Sequence, residues 1–287
     1  MRLPNSTLVV AFGILAASTA VAQAAPMRLA SHRAVYDLSL VESRGARAVE
    51  SARGRIVLDF SGDACKGYTM QTRQVTELDS GETGKRLSDL RNTTFEGGDG
   101  HNFRFKTNTM LNGSPSTAVD GTAESGTESL KVKLKEPKRD QYTETGPVLF
   151  PTFHMRRMIE AAQAGETTMS AKVFDGSDDG RKIFDTLAVI GKPITVIEPA
   201  KGSDGPDRDK PLREGEMASM KRWPVTLSYF TSGQGERTPV YVLTFLLYEN
   251  GVSGGLSLNY GDFTIAGDLS RLDLPKADAK AETECKP

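Results

Sequence analysis

Apolar and polar residues alternate with a period of two along most of the chain. Tyr36, Leu38 and Leu40 alternate with Asp37 and Ser39, and Ile56, Leu58 and Phe60 with Arg55 and Asp59, although Val57 interrupts the polar side. Phe103 and Phe105 flank Arg104, and Val132 and Leu134 stand among Lys131, Lys133 and Lys135. Successive strand side chains point to opposite faces, so this period predicts strands with one wet and one buried face. Turn signals punctuate them at Gly97–Gly100, Asp120-Gly121 and Asn250-Gly251. The stretch Val240–Tyr248 is apolar on both faces, which predicts a central strand covered on each side. Leu256, Leu258, Tyr260, Phe263 and Ile265 continue the meander.

One segment has a different period. After Gly146-Pro147, Phe153, Met155, Met158, Ile159 and Ala162 form a helical stripe that stops at Gly165. The spacing predicts a helix over 152–164, with Thr152 as its N-cap. A single helix between two runs of strands predicts an all-β fold with minor helix. Its antiparallel sheet is rolled into an open barrel, which the helix caps or plugs. Rolling also removes much of the edge that a flat sheet of this size would expose. The charged, Gly- and Pro-rich stretch from Pro199 to Gly215 reads as an exposed loop within one domain, since strand patterns flank it on both sides.

The N-terminus changes the picture of where this domain works. Arg2, the apolar run Leu8–Val21 and the small residues of Ala22-Gln23-Ala24 follow the three-part layout of a secretory signal peptide. Residues 1–24 are therefore expected to be cleaved, leaving 25–287 as a single domain in the periplasm. The apolar run is shorter than the roughly 20 residues of a spanning helix, and no later segment is long and apolar enough for one. Charge is nearly balanced, with 36 Lys and Arg against 37 Asp and Glu. That balance excludes the basic excess of a nucleic-acid binder.

The only cysteines are Cys65 and Cys285. In a compartment that oxidises thiols, such a pair reads first as a disulfide. A metal site would need further ligands, and His32, His101 and His154 stand far from both cysteines in the sequence. A bridge closing so long a loop contributes up to roughly 5 kcal/mol in the chain-entropy account.

Candidate chemistry is sparse. Gly251-Val252-Ser253-Gly254-Gly255 fits a nucleophile-elbow pattern, but a strand pattern follows where that motif needs a helix. Asp175, Ser177 and Asp179 alternate as calcium ligands do, yet Thr186 stands where the bidentate acid belongs, so a turn with capping carboxylates is the plainer reading. His154 beside Arg156 and Arg157 reads as a histidine satisfied at the helix–sheet boundary, with the arginines on a solvated face. Trp223 reads as a core anchor. No catalytic residue, cofactor or metal site is assigned.

Five stretches together resemble one family: HRAVYDLSL, DACKGYTMQTRQVTEL around Cys65, FPTFHMRRMIEAA, KVFDGSDDGRKIFDT, and DFTIAGDLSRLDL before Cys285. They are similar to the EipB-type cell-envelope integrity proteins of alphaproteobacteria, long filed as a domain of unknown function. The resemblance implies a periplasmic monomer folded as a β-spiral around a helix-capped interior, one disulfide falling on Cys65 and Cys285, and a non-catalytic role in envelope integrity under stress. Its partner would be a periplasmic protein, such as a helical-repeat protein, or a peptide or acyl ligand. The alternatives are a periplasmic lipid or lipoprotein carrier and, remotely, an envelope hydrolase using Ser253.

Overall fold

The computed structural model describes residues 28–44, 49–81, 84–195, 208–231 and 238–275. The expected signal segment 1–24 and Cys285 lie outside them. The first eight strands are β1 (His32–Ser43), β2 (Ser51–Asp63), β3 (Gly67–Asp79), β4 (Lys85–Glu96), β5 (Asn102–Leu111), β6 (Ser114–Ser125), β7 (Ser129–Glu136) and β8 (Asp140–Thr145). The helix α1 (Pro151–Ala164) follows. The remaining strands are β9 (Thr168–Val173), β10 (Phe184–Ile190), β11 (Arg222–Thr231), β12 (Tyr241–Tyr248), β13 (Ser253–Asn259) and β14 (Phe263–Asp273).

All of them belong to one 14-stranded antiparallel sheet, in the order β8-β7-β6-β5-β4-β3-β2-β1-β14-β13-β12-β11-β10-β9. The chain starts in the middle at β1, meanders out to the β8 edge, crosses through α1 to the β9 edge and meanders back until β14 pairs with β1. The alternation explains the strands directly: in β5, Phe103, Phe105 and Thr107 are buried while Arg104, Lys106 and Asn108 are exposed.

The sheet is not closed by strand pairing, but its two edges are drawn together. Leu149, just after β8, makes a parallel bridge to Val173 of β9. Its N–H donates to Lys172 O at 2.8 Å and its carbonyl accepts from Phe174 N–H at 3.0 Å. An aromatic cluster locks this crossing: Phe103 stacks on Phe150 at 4.8 Å, and Phe105 meets Phe174 edge-on at 5.3 Å. Each such pair adds roughly 0.5–1.5 kcal/mol beyond the area it buries.

Asp120-Gly121 is not a turn. It lies inside β6, at a bulge against β7, where a Cβ on Gly121 would fall 2.6 Å from Phe105 Cζ and 2.8 Å from Lys133 O. The glycine is there because the Phe105 ring lies against the backbone. The β5–β6 hairpin instead turns at Asn112-Gly113, both with positive φ (50° and 81°), as a tight two-residue turn requires.

The helix fills the interior. Met158, Ile159, Ala161 and Ala162 pack with Phe60 and Tyr68 on one side and with Ala188, Trp223, Leu227, Phe245 and Leu247 on the other. Of the Val240–Tyr248 pattern, the half from Phe245 to Tyr248 is covered on both faces, because Phe245 and Leu247 join this core while Leu246 and Tyr248 belong to a second one. Val240, by contrast, lies ahead of β12 and is 41% exposed.

That second core corrects the expectation of an exposed loop up to Gly215. Residues 196–207 are outside the described set, but Lys210–Arg213 and Gly215–Ala218 form 3-10 helices whose Leu212 and Met217 are each 1% exposed. Pairing of β13 with β14 stops at Leu256–Gly267, whereas β14 runs on to Asp273 beside β1. The 208–220 segment occupies this divergence: Asp209 Oδ1 accepts the Leu269 N–H at 2.7 Å, and Leu212 packs with Tyr36, Tyr248 and Leu269.

Candidate ligand-binding cleft

The N-terminus of α1 is capped from across the fold. Phe150 occupies the N-cap position without a side-chain cap bond and Pro151 starts the first turn, so Thr152 is not the cap. Glu96, at the end of β4, accepts the Thr152 and Phe153 N–H groups on its two carboxylate oxygens, each at 2.7 Å. A carboxylate here meets orphan donors and the positive end of the helix dipole. Glu96 is 2% exposed, and burial raises its carboxyl to about 7 against the pull of those two bonds. At the other end Gly165 takes the left-handed conformation at φ 81°, as the sequence predicts.

Held in this way, α1 leaves a cleft of about 330 Å³ between itself and the inner face of the sheet. Met70, Asn92 and Thr94 of β3 and β4 form one wall, and Leu227, Tyr229, Leu243, Phe245, Ser253 and Leu256 of β11–β13 the other. His154, Met155 and Met158 line it from the helix, and Asp175 and Ser177 from the segment after β9. Most of this lining is apolar, with a few polar groups converging on it, the usual build of a small-ligand site. Asn92 Oδ1 is buried without a hydrogen-bond partner. Tyr229 stacks on Tyr241 with ring centroids 4.4 Å apart, and Tyr241, Tyr260 and Phe263 carry the aromatic row on toward the surface.

The residues singled out by sequence divide clearly. His154 and Ser253 line the same cleft, but His154 Nε2 is hydrogen-bonded to Thr186 Oγ1 at 3.2 Å. Burial pushes His154 down to about 4, so its ring is neutral. Ser253 opens β13 with no helix behind it, and its carbonyl accepts the Tyr36 hydroxyl at 2.8 Å. Arg156 turns away to donate to Gly98 O at 3.1 Å, and Arg157 pairs with Glu160. Asp175 and Asp179 accept the N–H groups of Ser177 and Arg181, and Asp178 pairs with Lys182, the turn with capping carboxylates that the spacing suggested. Trp223 is buried in the core. Glu96, Met70, Asn92 and Tyr229 had no local signal, because each is recruited by a partner distant in the chain.

The EipB-like family profile matches residues 23–276. The chain belongs to the EipB-like family. One EipB-like relative, the cell envelope integrity protein EipB of Brucella abortus (strain 2308), is 36% identical over 256 residues, spanning 89% of this chain and 88% of the relative. A similar solved structure is the crystal structure of a β-barrel-like protein of domain of unknown function DUF1849 from Brucella abortus. It superposes with a TM-score of 0.78 at 35% identity, over 86% of this chain and 99% of its own. That EipB-like likeness extends to the mostly antiparallel, unclosed sheet with its minor helix. Among the described residues no helix is long and apolar enough to cross a membrane.

Proposed function

We propose that this chain is an exported, non-catalytic periplasmic factor that maintains cell-envelope integrity under stress by binding a ligand in the interior cleft. The observation that carries this reading is the relative named for envelope integrity, similar over 89% of this chain. The apolar cleft between α1 and the sheet supports the ligand part of it. The same cleft favours a second reading, a periplasmic carrier of lipid or lipoprotein. A periplasmic protein is the alternative occupant or partner, and the factor acts as a monomer.

A disulfide between Cys65 and Cys285 belongs to this proposal. Cys65 sits in the β2–β3 turn, where Asp63 Oδ1 accepts the N–H groups of Cys65 and Lys66 at 2.9 and 2.8 Å. The end of β14 lies at the same end of the sheet, since Asp273 pairs with Arg33 and Arg33 with Asp59. Three strand spacings separate them, roughly 14 Å. An extended stretch from Pro275 to Cys285 reaches about 33 Å.

The test is depletion of the protein followed by growth on detergent and on a cell-wall antibiotic. Rescue is scored with the wild type, Ser253→Ala and the cleft-filling variant Leu243→Trp. Sensitised cells rescued by Ser253→Ala but not by folded Leu243→Trp are the expected result. Unchanged resistance on depletion removes the envelope role, and full rescue by Leu243→Trp removes the ligand. A normally folded Ser253→Ala that fails to rescue while still binding an apolar dye as the wild type does reinstates hydrolysis.

A further inference from the structure

The cleft wall carries one carboxylate and, among the described residues that line it, no Lys or Arg. Asp175 accepts the Ser177 N–H at 2.9 Å; Lys182 lies within reach of its field but makes its direct ion pair with Asp178, and Arg181 pairs with Asp140. Burial raises the Asp175 carboxyl, and the neighbouring Asp178 charge adds to the rise, against the hydrogen bonds from Ser177. Tyr229 shares the wall, stacked on Tyr241, and burial raises the hydroxyls of both, with the Asp175 charge adding to it. The one other titratable group in the lining, His154, is held neutral by burial and supplies no positive charge.

These features select among head groups. An anionic head would meet Asp175 and find no cation to receive it. A neutral head gains at most an ordinary hydrogen bond from the Asp175 carboxyl. An ammonium group satisfies it, by a charge-assisted hydrogen bond to Asp175 and by contact with an electron-rich tyrosine face. The rest of the lining suits a flexible chain, since Met70, Met155 and Met158 are unbranched and adapt to its course. A volume of about 330 Å³ lies at the lower end of small-ligand sites, fitting one chain rather than a two-chain lipid.

We propose that the cleft binds a single-chain amphiphile ending in a primary ammonium group, with the chain against the three methionines and the ammonium at Asp175 beside Tyr229. This rests on the reading of the cleft as a ligand site. The experiment is displacement of a fluorescent apolar dye from the purified protein by dodecylammonium, dodecanol and dodecanoate, at neutral pH and below their micelle concentrations. Dodecylammonium is expected to displace the dye at a concentration at least about tenfold below that of dodecanol, with dodecanoate weakest. Asp175→Asn brings dodecylammonium to the level of dodecanol on the same variant. The head-group order in the wild type needs no variant, so a folding defect in Asp175→Asn leaves the test standing. Equal displacement by all three compounds overturns the ammonium assignment and keeps an apolar site. Failure of both dye and dodecanol to bind overturns the cleft itself as a ligand site.

Discussion

Glu96, which caps α1, and His154, within it, are shifted in opposite directions. Glu96 is raised from 4.5 to about 7, so the folded state holds its proton more tightly, and its contribution to stability is present below pH 4.5 and lost as pH rises toward 7. His154 is lowered from 6.5 to about 4, so its contribution is present above pH 6.5 and lost as pH falls toward 4. Asp175, raised by burial, adds to the first trend, and His32, lowered by burial, to the second. Single variants should separate the two. Between pH 4.5 and 6.5, denaturant unfolding of His154→Gln should show stability falling with pH relative to the wild type, and Glu96→Gln should show it rising. Each difference is at most about 1.4 kcal/mol per pH unit. Parallel pH profiles for the two variants would show that neither shift exists. Glu96→Ala, which leaves two helix N–H groups buried without acceptors, should cost about 2–3 kcal/mol at pH 7.

At the scale of the element, two segments behave unlike their composition. The 208–220 stretch is short, polar and irregular, yet Leu212 and Met217 fill the gap where β13 and β14 part. Leu212→Ala should therefore lower stability by about 2–4 kcal/mol in urea unfolding. A true surface loop would respond by less than about 0.5 kcal/mol. Gly121 is a strand residue selected by the ring beside it, so Gly121→Val should destabilise by more than about 1 kcal/mol despite the higher strand propensity of valine. A neutral or stabilising result would mean that Phe105 can move aside. Much of the element pattern was legible in the sequence, because Phe103, Phe105, Leu130, Val132 and Leu134 alternate against a dry core. Residues 85–94 of β4 were not, since the inner face there carries Asn92 and Thr94 toward the cleft and the polar–apolar contrast disappears.

The whole molecule is a sheet whose edges are brought together by a crossing helix and whose continuity runs through the β1–β14 pair. A bridge from Cys65 to Cys285 would tie the chain end to the β2–β3 turn across that pair. Cys65→Ser should then lower the unfolding midpoint under non-reducing conditions, by a few kcal/mol in free energy, and a reductant should remove the difference. Equal midpoints without reductant would show that the bridge is absent or unimportant. The roll also places the cleft, because its two walls come from β3–β4 and β11–β13, on opposite sides of the β1–β14 seam, with α1 between them.

Local chemistry determined the strands that pack on dry cores, the Gly165 helix stop and the family resemblance. Each depends on residues near one another in the chain: alternation, a left-handed glycine, contiguous motifs. Asn112-Gly113 and Asp120-Gly121 carry the same kind of turn signal, yet the first is a turn and the second, the one read as a turn, is strand. Only the tertiary structure decided between those two, because the Phe105 ring that requires Gly121 comes from a neighbouring strand. It also decided that α1 is capped by Glu96, 56 residues from Thr152, and that Asp175 faces a cleft with Tyr229. Those contacts form only when the sheet rolls, and the roll is set by packing between residues that no sequence window contains.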